Sequence, residues 1–219
     1  MNAKSTAIWI IVAVAVLGGI YGLTYLAQTS PAVQSGGNVG PIPPVTASDW
    51  IVGNPQASTT LIEYGDFECP VCSEYAPLIS QLMQQFGGNV RFVYRFFPLE
   101  SIHPNAAISA AAAQAAGEQG KFWEMHDLLF KNQNDWATLS QADAEKTFDG
   151  YAQTLGLNVS KFTADMNSAS TTALIAADYQ NDINMGLSYT PTFILNGRLI
   201  PNPQSSNAFV QVLQQAIGK

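Results

Sequence analysis

Between Thr59 and Asp66 the residues are largely apolar and β-branched or aromatic, the pattern of a strand covered on both faces. Directly after it, Tyr75, Leu78, Ile79, Leu82, Met83 and Phe86 recur at three- and four-residue intervals, which predicts an amphipathic helix from Pro70 to about Phe86. Pro77 lies inside that helix, where it is expected to remove one backbone hydrogen bond and kink the axis. Gly87-Gly88-Asn89 ends the helix, and Val90 to Phe97 reads as a second strand, parallel to the first through a βαβ crossover. From about 103 to 187 the pattern turns helical, with segments at Asn105 to Ala116, Phe122 to Phe130, Gln141 to Leu155, Ser160 to Asn167 and Ser170 to Leu187. Thr190 to Leu195 returns to strand, and Asn196-Gly197 is a two-residue hairpin signal leading into Arg198 to Ile200. A last helix places Phe209, Val212, Leu213, Ala216 and Ile217 on one face.

The first quarter of the 219-residue chain has a different character. Ala7 to Leu26 carries no charge, and at about 1.5 Å per residue it reaches roughly 30 Å as a helix, a membrane-spanning length. The apolar run is longer than that of a cleaved signal, so residues 1–27 are expected to be a retained transmembrane anchor. Lys4 and the amino terminus put the nearby positive charge on the N-terminal side, which leaves the bulk of the chain outside the cytoplasm. Residues 28–49 are rich in Pro, Gly, Ser and Thr without periodicity and read as a flexible tether with an r.m.s. span of roughly 25 Å. Residues 50–219 then form one globular α/β domain with a helical insertion over about 103–187. A net charge of −7, with no basic cluster, argues against nucleic acid or an anionic lipid surface as partner.

The chain has two cysteines, and both lie where the first strand gives way to the first helix, in Asp66-Phe67-Glu68-Cys69-Pro70-Val71-Cys72. A C-x-x-C in that context is a redox motif, because unpaired N–H groups and the peptide dipoles at a helix N-terminus stabilise an attacking thiolate. Cys69 is expected to attack and Cys72, one turn further in, to resolve the mixed disulfide. Pro70 suits the first helical position, where its missing N–H costs nothing. A structural disulfide would close too small a loop to stabilise the fold, and a c-type haem site would need His where Ser73 stands. A zinc site recruiting His103 and His126 remains open, although their spacing fits no common finger. Otherwise His103 reads as a loop or helix-start residue and His126 as part of the helical packing. Tyr64, Phe67 and Tyr189 fit either the core or an apolar border to the active site. Asn158-Val159-Ser160 matches the N-glycosylation triplet, a pattern common by chance.

Strand, C-x-x-C helix, strand, helical insertion and a Thr-Pro-led hairpin resemble the thioredoxin fold of the DsbA-like disulfide oxidoreductases. Three pieces carry the resemblance: the C-x-x-C stretch, Gly117-Glu118-Gln119-Gly120-Lys121-Phe122-Trp123-Glu124-Met125-His126-Asp127, and Tyr189-Thr190-Pro191-Thr192-Phe193. The resemblance implies a cis peptide bond before Pro191 and a Thr190 backbone that pairs with an extended substrate, with Tyr189 beside it. It implies a buried acid at Glu63 that exchanges a proton with Cys72, where the residues alone leave a solvent-facing edge position equally open. It implies no cofactor and no metal. Its expected partners are folding proteins with free thiols and a membrane reoxidase of the DsbB or VKOR kind, with reductase, isomerase and non-catalytic binding module as alternatives. The dipeptide Pro70-Val71 departs from the best-known family pattern, which has a histidine there, so no imidazole is expected to support the thiolate. Asp66 and Glu68 are expected to oppose ionisation by roughly 0.5–1 kcal/mol each, partly cancelling the helix-end effect of about 0.3–2 kcal/mol. Cys69 should then be more acidic than a free thiol and less so than in the strongest oxidases.

Overall fold

The computed structural model describes residues 39–218. The expected anchor at 1–27 lies outside them, and no described helix is long and apolar enough to cross a membrane. The described chain forms a five-stranded sheet with helices on both faces. Its strands are β1 (Trp50–Gly53), β2 (Thr59–Gly65), β3 (Val90–Phe96), β4 (Thr192–Leu195) and β5 (Arg198–Ile200), in the order β1-β3-β2-β4-β5. β2 and β3 pair in parallel across α1 (Pro70–Phe86), because a crossover helix is what two successive strands need to run the same way. β4 runs antiparallel to β2 and to β5, and the β4–β5 turn has Asn196 at φ 50° and Gly197 at φ 76°, the pair of positive angles that a tight hairpin requires. β1, which pairs antiparallel with β3, had no signal in the pattern beyond the onset of globular composition at Trp50. The helix at α1 runs through Pro77 from Pro70 to Phe86.

Between β3 and β4 lie α2 (Ala106–Gly117), α3 (Phe122–Lys131), the single turn α4 (Gln133–Trp136), α5 (Gln141–Thr154), α6 (Val159–Met166) and α7 (Ala169–Asn184). α2 is buried almost all round, and its alanines let α3, α6 and α7 pack closely against it. Ser140, Asn158 and Ser168 cap α5, α6 and α7 by accepting the N–H three residues on. The Asn158 side chain is thereby committed to a helix start. α8 (Ser206–Ile217) follows β5, buries Phe209 against Tyr75 and Phe193, and buries Leu213 in the same core.

Alternation along the strands sorts the apolar side chains into two cores. Leu61, Phe92, Tyr94 and Phe96 face the large core with α1 and the helical insertion, where Phe67 meets Tyr94 and Phe130 at ring separations of 5.1 and 4.8 Å. Ile62, Tyr64, Val93 and Ile194 face a smaller core on the opposite side, with Met185 and Leu187. That smaller core also receives Val39, Ile42 and Val45, which belong to the stretch expected to be a free tether. Arg95 donates to the Pro43 and Pro44 carbonyls and pairs with Asp49 at 2.7 Å, while Gly40 N–H donates to Met185 O. From Val39 on, the expected tether is bound to the domain, held by a half-buried arginine whose partners lie 46 to 52 residues away along the chain.

Candidate active site

β2 leaves the sheet at Gly65 and delivers Cys69 to the N-cap of α1 with extended backbone angles (φ −69°, ψ 120°) and Pro70 as the first helical residue. This is the position whose side chain faces the free N–H groups of the first turn. Cys69 and Cys72 are free thiols in this structure, and both are buried, Cys69 at 5% exposure and Cys72 at 0%. The Cys69 thiol is lowered to about 6, first because Cys72 donates to its sulfur, with a smaller part from the Cys72 and Val71 N–H groups and with burial opposing. Burial pushes the Cys72 thiol well up. The pair therefore consists of one sulfur that is ionised near neutral pH and one that holds its proton.

The Thr190–Pro191 peptide bond is cis, and it brings the Thr190 carbonyl to 3.5 Å from the Cys69 sulfur, which donates to it as a thiol. Asn202 donates to Pro191 O at 2.8 Å and the Thr192 hydroxyl to Tyr189 O at 2.6 Å, so this strand entrance is tied down on both sides. Tyr189 is about half exposed, as is Val71 across the cysteine, whereas Tyr64 and Phe67 belong to the two cores. Glu63 sits on the central strand β2 at 2% exposure, with no solvent-facing edge. Its carboxyl is pushed up to about 8 by burial and by the charge of Cys69, and Oε1 has no hydrogen-bond partner among the described residues.

The acids beside the motif do not stand as solvated charges. Asp66, 1% exposed, accepts from Glu68 N–H at 2.8 Å and Leu99 N–H at 3.0 Å and pairs with His103 Nδ1 at 2.7 Å. Glu68 is buried and accepts the Asn105 N–H, and burial raises its carboxyl. His103 is raised, first by its bond to Asp66, and among the smaller causes is the charge of Cys69. An imidazole thus does stand near the site, supplied from the loop after β3 instead of from within the motif. Gln133 of α4 is a further residue that pattern reading did not single out: it is buried and its amide donates to Phe67 O at 2.7 Å and Cys69 O at 2.9 Å, pinning the turn that carries the cysteine. Neither has a local sequence signal, since the partners lie 37 and 64 to 66 residues away. His126 packs at 5% exposure among Phe67, Tyr94 and Phe130 and bonds Asp127.

A family model described as thioredoxin matches residues 46–215. The chain belongs to the thioredoxin family. Within that family its fold is DsbA-like: it superposes on BdbD from Bacillus subtilis with a TM-score of 0.72 at 17% identity, over 84% of this chain and 100% of that one. It superposes on alpha-DsbA1 from Wolbachia pipientis with a TM-score of 0.71 at 19% identity, over 80% and 93%. In sequence it is 41% identical over 150 residues to the Na(+)/H(+) antiporter NhaA 1 of Salinispora arenicola, a match covering 68% of this chain and 22% of that protein. The chain spans about a quarter of the length of the first curated relatives it matches, from 22% to 27%.

The thiol values of this thioredoxin-family site predict a pH profile. Alkylation of the reduced protein by iodoacetamide, followed at Cys69 by mass spectrometry, should rise with a midpoint near about 6. A midpoint in the range of a free thiol, about 8.5, would contradict the environment described. In stability terms the lowered Cys69 favours the reduced fold above the ordinary thiol range and loses that contribution as pH falls through about 6. Glu63 acts oppositely, contributing below the ordinary carboxylate range and losing it as pH rises through about 8.

Proposed function

We propose that this chain is a membrane-held thiol-disulfide oxidoreductase that introduces disulfides into folding proteins outside the cytoplasm. The observation that carries the reading is the asymmetry of the pair, an N-cap Cys69 lowered to about 6 beside a fully buried Cys72 raised well above the ordinary range. A thiolate stabilised in the reduced protein makes reduction of the pair favourable, which is the thermodynamic condition for a disulfide donor. In the oxidised protein a substrate thiolate attacks Cys69, Cys72 leaves and takes a proton from Glu63, and a second substrate thiolate then attacks the mixed disulfide and releases Cys69 as thiolate. Thr190 and Pro191 supply backbone against which an extended segment can pair, and the exposed faces of Tyr189 and Val71 give it apolar contact without strong side-chain selection. Pro70 and Val71 together keep the dipeptide free of titrating groups.

The reoxidant is a membrane protein of the DsbB or VKOR kind, reached because the anchor raises the local concentration of the domain. The uncharged run at Ala7 to Leu26 supports the membrane placement, as does the occurrence of a similar domain within proteins named as antiporters, which work across a membrane. Equilibration of the full chain in mild detergent with glutathione redox buffers tests the direction. The expected reduction potential lies nearer about −120 mV, the range of strong disulfide donors, than about −270 mV, the range of thioredoxin-type reductants. A value at the reducing end would overturn the oxidase reading in favour of a reductase, and a pair that does not cycle would leave only a binding module.

A further inference from the structure

Tyr94 carries a hydroxyl that nothing in the scheme above uses. It lies on β3 directly beside Glu63 in the parallel register of β2 and β3, so both side chains rise from the same face of the sheet toward α1. Its ring fills the space that a side chain at Gly65 would occupy: a Cβ built there would meet the Tyr94 hydroxyl oxygen at 2.7 Å and its ring carbons at 2.6 and 2.8 Å. The phenol end is thus set against the last residue of β2, where the chain turns toward Cys69 and α1. Tyr94 is 0% exposed and Glu63 2%, and neither Tyr94 Oη nor Glu63 Oε1 has a hydrogen-bond partner among the described residues. Two buried polar atoms are thus left unpaired on residues opposed in the β2–β3 register, and each has the capacity to bond a water. Around the hydroxyl the titratable groups are Glu63 of β2, Asp66 and Cys69 of the turn, Cys72 of α1 and His126 of α3, while Tyr75 of α1 also faces Glu63.

We propose that Tyr94 is a positioning residue for the proton of Cys72: its hydroxyl and the Glu63 carboxyl hold one water against the Cys72 sulfur, and the proton passes through that water. The proposal rests on the oxidoreductase reading and adds to it the residue that orients the proton path. In the oxidising direction the substrate thiolate forms a bond to Cys69 sulfur as the Cys69–Cys72 bond breaks. Cys72 sulfur, reduced in that step, takes a proton from the bridging water, which takes one from the Glu63 carboxyl, leaving a carboxylate that regains its proton from solvent. Without the phenol the water loses one of its anchors and the carboxyl is free to turn from the sulfur.

The test is single-turnover reaction of the oxidised full chain with reduced glutathione, acid-quenched and read as mixed disulfide by mass spectrometry, from pH 5.5 to 9. Rates divided by the glutathione thiolate fraction should fall in the wild type as Glu63 ionises. Tyr94→Phe should lower the low-pH plateau on the order of tenfold, the rate equivalent of one lost hydrogen bond, and flatten the fall. On a Glu63→Gln background the same substitution should change the rate less than twofold, since the path it orients is already cut. A Tyr94→Phe rate within twofold of wild type with an unmoved profile, or effects of the two substitutions that multiply, would overturn the proposal while leaving the oxidoreductase reading intact. A wild-type pair that does not react with glutathione would overturn both. Should Tyr94→Phe fail to fold, 3-fluorotyrosine at position 94 keeps the ring and makes the hydroxyl more acidic; a shifted profile supports the role and an unshifted one refutes it.

Discussion

Cys69→Ser is expected to abolish thiol-disulfide exchange completely, leaving turnover of a reduced unfolded substrate at the uncatalysed background. Cys69 is the sulfur proposed to be attacked: it occupies the N-cap of α1 and is lowered to about 6, in part by the Cys72 and Val71 N–H groups of the first turn. A serine hydroxyl at the same place does not ionise near neutral pH and cannot form a disulfide, so no slower route remains. Cys72→Ser should behave differently. Cys69 remains free to exchange with the disulfide of oxidised glutathione, but no second thiol is present to displace the adduct, so one equivalent of mixed disulfide should accumulate and persist in mass spectra. The two variants also separate function from folding, because each exchanges one small buried side chain for another. Retention of exchange by Cys69→Ser, or exchange by Cys72→Ser as fast as in the wild type, would show that the chemistry does not run through this pair in the order assigned.

Asp66→Ala should produce the largest loss of stability among the residues around the site, about 3–5 kcal/mol, the range for removing one partner of a buried ion pair. The carboxylate is 1% exposed and joins three segments: it accepts from Glu68 N–H, which precedes the cysteine, from Leu99 N–H after β3, and pairs with His103. Alanine leaves the buried Glu68 N–H and the partly buried Leu99 N–H without an acceptor and His103 without a counter-charge. The Asp66 backbone carbonyl that accepts the Cys69 N–H at 3.1 Å would remain, so the turn itself is retained and the loss falls on the clamp between loops. Because His103 is raised by Asp66, the contribution of their pair is complete below the ordinary imidazole range and is lost as pH rises through the raised value. The difference between wild type and Asp66→Ala should therefore narrow at alkaline pH. Urea unfolding of the oxidised proteins at pH 6 and pH 9 measures both effects. A loss below about 1 kcal/mol, the size of an ordinary surface substitution, would mean that the cluster is solvated in solution.

These two predictions draw on different kinds of information in the chain. The proposed site of attack was legible as a string of neighbours: a strand-like run, a break at Gly65, two cysteines and an amphipathic helix opened by proline, all close in sequence. The Asn196-Gly197 hairpin and the helices of the insertion were readable for the same reason, since turn angles, caps and helical periodicity are local properties. Nothing local marks Asp66 and His103 as an ion pair, Gln133 as the donor to Cys69 O, or Tyr94 as the neighbour of Glu63 and Gly65. Each depends on strand order and on which loop is folded over which, and a polar side chain in a sequence does not state its partner. The same holds for residues 39–49, whose Pro- and Gly-rich composition suggests a free tether until Arg95, on the third strand, supplies the charge and the donors that bind it. Sequence alone determined most of the elements and the two cysteines of the C-x-x-C, because hydrogen bonding within a helix or turn and the alternation of a strand act over a few residues. The tertiary structure alone decided the protonation, burial and partners of the groups around them, because desolvation and charge pairing act through space between segments that the chain keeps far apart.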